Sequence, residues 1–468
     1  MRTNIAKVKK KLDEIFQGCF DVGRREITTL DGRSAIVMFI DGLVNKETIQ
    51  NDVIRPLLGF SFDSQIRPSA DNLNELKAAL LSPVDVRMQK DFDSAVMACL
   101  SGDTVLFGDG MEGSLVIQTR GWNSRGISSP ETEQTVRGPK EGFTETMLFN
   151  VAMVRRKLRS PQLKTQILQM GEQTGTDVCV MYLEGTAPKE LVARVLSRLR
   201  SDDARYILES GHIEQFIEDD PHTLFATIGN HERPDTVAAK LLKGRVAIIV
   251  DGTPFVLTLP MLFVENFHSA EDFYSRPYYA VFLRILRIFA YVVGLTLPAV
   301  YICIVMFTRE IVPDPLLVTL IEASEGAAFS PITEITLMLL MYELLREAMI
   351  RLPVQIGSSV SIAGVFIIGE AAVGVHLITA PSIVVAAMTF IASAVVNSTA
   401  DSSVLIRFLL LILAGIFGIY GIMAGAFLII VHLCSLTSFG EPYLYPFSPF
   451  KAGAAKRSIF RTRNRCGE

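Results

Sequence analysis

Apolar and polar positions are distributed unevenly along this chain. From Met1 to about Phe282 short apolar runs alternate with frequent charges, whereas from Ile285 onward long apolar segments dominate. Within the first part the pattern repeats. VMFIDGLVNKETI (37–49) is echoed by VMYLEGTAPKELV (180–192), each an apolar strand, an acid–Gly turn and a Lys-Glu pair opening a helical period. ACLSGDTVLFGDGMEGSLVI (98–117) is echoed by KLLKGRVAIIVDGTPFVLTL (240–259), each a helix end, a Gly, a strand, an Asp-Gly turn and a second strand. Asp41 to Glu184 is a shift of 143 residues and Asp109 to Asp251 a shift of 142. Two independent pairs with nearly one shift predict two α/β subdomains of common ancestry. An isolated Asp-Gly turn is architecture more often than chemistry. Between the copies, a Gly-, Pro- and Ser-rich stretch reads as an ordered loop. Glu141–Leu158 reads as a helix whose basic end, Arg155, Arg156 and Lys157, is expected to be solvated and favoured by the helix dipole.

In the second part, Ile285–Phe307 is apolar but for Arg287, and at about 1.5 Å per residue it is long enough to cross a hydrocarbon core of roughly 30 Å. Tyr278, Tyr279, Arg284 and Arg287 form an aromatic and basic anchor at its start, which predicts a cytoplasmic N-terminal end. No apolar signal-peptide core precedes it, so the N-terminal half is expected to stay in the cytoplasm. Gly357–Leu377, Pro381–Val396 and Leu405–Leu433 are further candidate spans, the second short and the third unusually long. The segment 331–353 carries Glu334, Glu343, Arg346 and Glu347 and cannot face lipid all round, so it is either a protein-packed span or an interfacial helix. Counting it gives five spans; omitting it gives four, with the basic tail inside. The predicted organisation is 1–120 first α/β subdomain, 121–170 linker loop and helix, 171–275 second α/β subdomain, 276–438 polytopic α-helical membrane domain, and 439–468 basic tail.

Glu370 stands alone among small and apolar residues in SSVSIAGVFIIGEAAVGVHL (358–377). At 100° per residue Ser359, Ala363, Phe366 and Gly374 lie within about 40° of it, so one helix face joins the carboxylate to small side chains. A lipid-facing charge at mid-bilayer costs about 2.5–3.5 kcal/mol on the lenient insertion scale. Three readings stand: a hydrogen-bonded or protonated acid at a helix contact, a face lining a polar pathway, or a span boundary that lies elsewhere.

Composition narrows the chemistry. Hydrophobic residues make up 49% of the 468 positions, and a net charge of −4 gives no sign of a nucleic-acid partner. Six cysteines lie far apart without CxxC spacing, and six histidines (His212, His222, His231, His268, His376, His432) lack metal-ligand spacing. GxxxxGK[ST], GxGxxG after a strand, HExxH and GxSxG are absent, so neither an enzyme nor a cofactor is expected.

Five blocks carry a resemblance: SSPETEQTVRGPKEGFTE (128–145), GNHERPDTVAAKLLKGRVAIIVDGTPF (229–255), ENFHSAEDFYSRPYYAVFLRILR (265–287), EGAAFSPITEITLMLLMYELLREAMIRLP (325–353) and PYLYPFSPF (442–450). Together they resemble the A-subunit family of bacterial spore germinant receptors, over nearly the whole chain. The resemblance implies a multi-pass protein of the spore inner membrane that works with a transporter-like B subunit and a lipoprotein C subunit. It also implies a homo-oligomer, a pentamer, forming a germinant-gated cation channel. A paralogue of the SpoVA dipicolinate-release locus shares the architecture. On that reading Ser359, Ala363, Phe366, Glu370 and Gly374 line a pore, Glu370 being particular to this sequence, and Glu343, Arg346 and Glu347 mark a gating helix. A non-conducting scaffold for the B and C subunits and a transporter with Glu370 as ion relay are the competing classes.

Overall fold

The computed structural model describes residues 4–30, 32–59, 85–121, 130, 132–133, 135–201, 204–308, 310, 312–315, 318, 322, 327–351, 374 and 377–460. They form two compact units: residues 1–221 with 227–261, and residues 222–226 with 262–468.

The first unit holds two five-stranded antiparallel sheets. One contains β1 (Val22–Thr28), β2 (Ser34–Ile40), β3 (Val86–Gln89), β4 (Thr104–Gly108) and β5 (Ser114–Ile117), in the order β1-β2-β4-β5-β3. The other contains β6 (Leu163–Met170), β7 (Thr176–Leu183), β8 (Gly229–His231), β9 (Val246–Val250) and β10 (Val256–Leu259), in the order β6-β7-β9-β10-β8. The strand orders are identical, and the likeness extends to the helices. Helix α1 (Ile5–Ile15) corresponds to α3 (Met147–Lys157), and α2 (Phe92–Leu100) to α6 (Pro234–Leu242). The equivalent turn acids have the same task in both copies. Asp109 Oδ1 accepts from Ile5 N (3.4 Å) at the start of α1, and Asp251 Oδ1 accepts from Met147 N (2.9 Å) at the start of α3. Each carboxylate thus satisfies one of the amides that a helix start leaves open.

This places the repeat boundary earlier than the sequence suggested. Helix α3 and β6 lie before residue 171, yet Met147, Val151, Val154 and Leu163 share one core with Cys179, Met181, Ala247 and Ile249 of the second sheet. The helix preceding the first strand is part of the repeat because it covers a sheet face. Strand β2 shows why the strands are so apolar: Ile36, Met38 and Ile40 pack with Leu12 and Cys99 under α1 and α2, while Ala35 and Val37 pack with Val53 and Leu57 on the opposite face. Arg155 departs from expectation. It is 1% exposed and forms a two-pronged ion pair with the fully buried Asp21, which also accepts from Thr165 Oγ1 (2.6 Å). Only Arg156 and Lys157 behave as a solvent-side cluster, both pairing with Glu141.

The second unit is helical. It comprises α7 (Pro277–Met306), α8 (Pro331–Arg351), α9 (Ala380–Val395), α10 (Ala400–Phe417), α11 (Ile419–Ser435) and α12 (Ala452–Ile459), α4 (Lys189–Arg200) and α5 (Ser210–Ile217) belonging to the first unit. Among the described residues α7 and α10 are long and apolar enough to cross a bilayer, with mean hydropathy 2.3 and 2.0; α9 and α11 are shorter apolar helices. The expected single span Leu405–Leu433 is two helices. Gly418 adopts φ +59 and breaks the segment, and a Cβ at Gly421 would lie 2.0 Å from the Leu413 carbonyl oxygen. A positive φ and a close return of the chain both require glycine, so the unusual length resolves into a hairpin. The basic anchor is also different in kind: Arg284 and Arg287 bind the buried Asp272 at 3.0 and 2.9 Å, and Arg284 Nη1 donates to the Ser458 carbonyl at the end of α12 (3.2 Å).

Candidate functional site

Buried charge inside the helical unit begins with a proline. Pro298 sits within α7 and has no N–H to give the carbonyl four residues back, that of Gly294. Arg407, two turns into α10, supplies the missing donor: its Nε lies 2.8 Å from Gly294 O. Helix α9 comes close at this level because residue 294 lacks a side chain; a Cβ there would be 3.2 Å from Ser393 Oγ. Ser393 Oγ accepts a second hydrogen bond from Arg407 Nη2. Arg407 is 1% exposed, so its guanidinium ties α7, α9 and α10 together without reaching solvent.

The remaining nitrogen faces α8. Arg407 Nη1 is 3.6 Å from Glu343 Oε1, and neither atom has a hydrogen-bond partner among the described residues. Glu343 Oε2 is 3.4 Å from Arg346 Nε one turn along the same helix. The arrangement is an ion pair held just beyond hydrogen-bond contact. A small movement of α8 along or about its axis changes it. Next to it, Tyr342 stacks edge-on against Phe390 of α9 with ring centroids 4.2 Å apart.

One turn inside the start of α8, Glu334 is also buried. Its Oε2 accepts from Thr379 N (3.2 Å), Thr379 Oγ1 (2.7 Å) and Ser382 Oγ (2.7 Å), where α9 begins. A carboxylate at a helix start is favoured by the exposed amides and the dipole.

Of the residues singled out by sequence, Glu343 and Arg346 come together, and Glu347 does not join them. It pairs instead with Arg351 at 2.6 Å, both side chains being largely exposed. Ser359, Ala363, Phe366 and Glu370 lie outside the described residues. Gly374 is described and exposed, and among the described residues it has no neighbour within 4 Å of the position of its absent Cβ. Sequence reasoning named Glu334 only among the charges of 331–353, and passed over Arg407. The argument applied to Glu370, a lone charge in a long apolar run, applies equally to Arg407 in VLIRFLLLILAGIF (404–417). Among the described residues no group of three or more His, Cys, Asp or Glu side chains converges as metal ligands would.

Comparison with known proteins bears on this arrangement. The model of the family described as Bacillus/Clostridium GerA spore germination protein matches residues 10–466. The chain is 39% identical over 98% of its length, and 84% of the relative's, to "Spore germination protein KA" of Bacillus subtilis (strain 168). It is 37% identical over 98% of its length, and 89% of the relative's, to "Uncharacterized membrane protein YfkQ" of the same organism. A crystal structure of the N-terminal domain of the A subunit of the Bacillus megaterium spore germinant receptor GerK3 covers 56% of this chain and 97% of its own, at 31% identity and a TM-score of 0.45.

Proposed function

From the premise that this chain belongs to the Bacillus/Clostridium GerA spore germination protein family, we propose that it is the A subunit of a nutrient germinant receptor, a multi-pass protein of the spore inner membrane with its α/β unit in the cytoplasm. It works with a transporter-like B subunit and a lipoprotein C subunit. Several copies assemble around a wet passage lined by the Ser359, Ala363, Phe366, Glu370 and Gly374 face. A ring of Glu370 carboxylates then attracts cations and titrates as a coupled set.

The observation that carries the gating part is the Glu343–Arg407 pair. Two membrane-length apolar helices, α7 and α10, are pinned at Arg407, and α8, a charged element that meets Arg407, also precedes the pore segment in sequence. A charge kept at bilayer depth marks a working part more often than a structural one. Nutrient binding at the B subunit shifts α8 between two arrangements. Glu343 engages Arg407 in the closed one and leaves it in the open one.

The test is current through the full chain reassembled with its B and C subunits in planar lipid. Nutrient should evoke a cation current, Glu343→Gln should raise the current seen without nutrient, and Glu370→Gln should reduce the preference for cations over anions. An assembled complex that conducts nothing under any condition would make the subunit a scaffold.

A further inference from the structure

Glu334 has one oxygen fully engaged and one with nothing to bind. Oε2 takes three donors, Thr379 N, Thr379 Oγ1 and Ser382 Oγ. Oε1 is buried with no hydrogen-bond partner among the described residues, in a side chain that is 1% exposed. Among the described residues neither a donor for a carboxylate oxygen nor an acceptor for a carboxylic acid proton is bonded to it. A buried polar atom left in that state is costly, and native proteins rarely leave one so.

What surrounds the carboxylate narrows what completes it. The Thr379 and Ser382 hydroxyl protons are directed at Oε2, which leaves lone pairs on both oxygens. Those oxygens are 2.9 Å apart, and Tyr301 Oη on α7 lies 3.3 Å from Ser382 Oγ. The donor set is therefore all oxygen, carries one formal negative charge and draws on α7, α8 and the start of α9. Zinc and copper favour nitrogen or sulfur, and calcium or magnesium sites use several oxygens, commonly with more than one carboxylate. A single carboxylate among hydroxyls suits a monovalent ion. We propose that Glu334 Oε1, with the hydroxyl oxygens of Thr379 and Ser382, binds an alkali cation, Na⁺ or K⁺, which locks α8 to α9. The proposal does not depend on conduction by the protein, and its test reads stability rather than current.

Thermal unfolding of the full chain in lipid nanodiscs, in NaCl, KCl or choline chloride at one ionic strength, tests it. A ligand that binds the folded state alone raises the midpoint in a saturable way. The midpoint should be higher in Na⁺ or K⁺ than in choline, and Glu334→Gln, which keeps an acceptor for the three donors, should abolish the difference. Ser382→Ala keeps the carboxylate and removes one oxygen, so the half-saturating cation concentration should rise about tenfold. Equal midpoints in all three salts overturn the site, as does an unchanged cation dependence in Glu334→Gln. Should Glu334→Gln fail to fold, an unchanged half-saturation in Ser382→Ala overturns it alone.

Discussion

The α/β unit and the helical unit each bury an arginine against an acid, and they do so differently. Arg155 grips both oxygens of Asp21 with two nitrogens, and Thr165 adds a further bond to that carboxylate. Arg407 instead spends its bonds on a backbone carbonyl and a serine hydroxyl, and meets Glu343 across 3.6 Å. The first is a clasp between two repeats, where any gap would leave charge unpaired in a dry core. The second leaves opposite charges close and incompletely joined, so a modest displacement of α8 alters their energy. Two buried arginines, each facing a carboxylate, thus differ in how completely the pair is joined.

Three experiments probe these charged contacts, in order of expected size. Asp21→Ala strands Arg155 without its anion and should cost about 3–5 kcal/mol, read as a lowered urea midpoint for the loss of sheet circular dichroism. A loss under about 1 kcal/mol would mean that the pair is not the clasp inferred here.

The second test is a cycle on Arg407 and Pro298. Arg407→Met alone orphans the Gly294 carbonyl, whereas in a Pro298→Ala background the new N–H at 298 can take that carbonyl itself. The cost of Arg407→Met should then shrink by about 1 kcal/mol in thermal unfolding of the protein in lipid. Strict additivity would show that Arg407 does not stand in for the missing proline donor.

The third compares the repeats with each other. Asp251→Ala removes a partly buried 2.9 Å cap and should cost about 1 kcal/mol, while Asp109→Ala removes an exposed 3.4 Å contact and should cost only a few tenths. Chemical denaturation of the two variants side by side checks the ranking. Equal losses would mean that the copies have kept equal caps despite their geometry.

Much of the architecture is legible in the chain. The echo of acid–Gly and Asp-Gly turns at shifts of 143 and 142 residues reports two sheets of one strand order, since turn chemistry and period-two apolar runs are local properties. The extent of each repeat was harder to read: α3 resembles a linker helix in sequence because its basic end hides that Arg155 points inward. Likewise the run Leu405–Leu433 is apolar but for Arg407 and His432, and hydropathy does not register the turn at Gly418.

By itself, then, the sequence determined that an α/β part precedes an apolar helical part, that the former is duplicated, and that certain charges lie where water is scarce. Those are properties of composition, period and spacing along one chain. Only the tertiary structure decided that Glu343, and not Glu347, meets a buried cation, that this cation is Arg407, and that a proline in α7 gives it a carbonyl to hold. Glu343 and Glu347 lie one turn apart on a single helix, and which of them meets Arg407 depends on where α10 crosses. The partner of a buried charge is fixed by how separate helices pack, and no local pattern in either segment encodes that meeting.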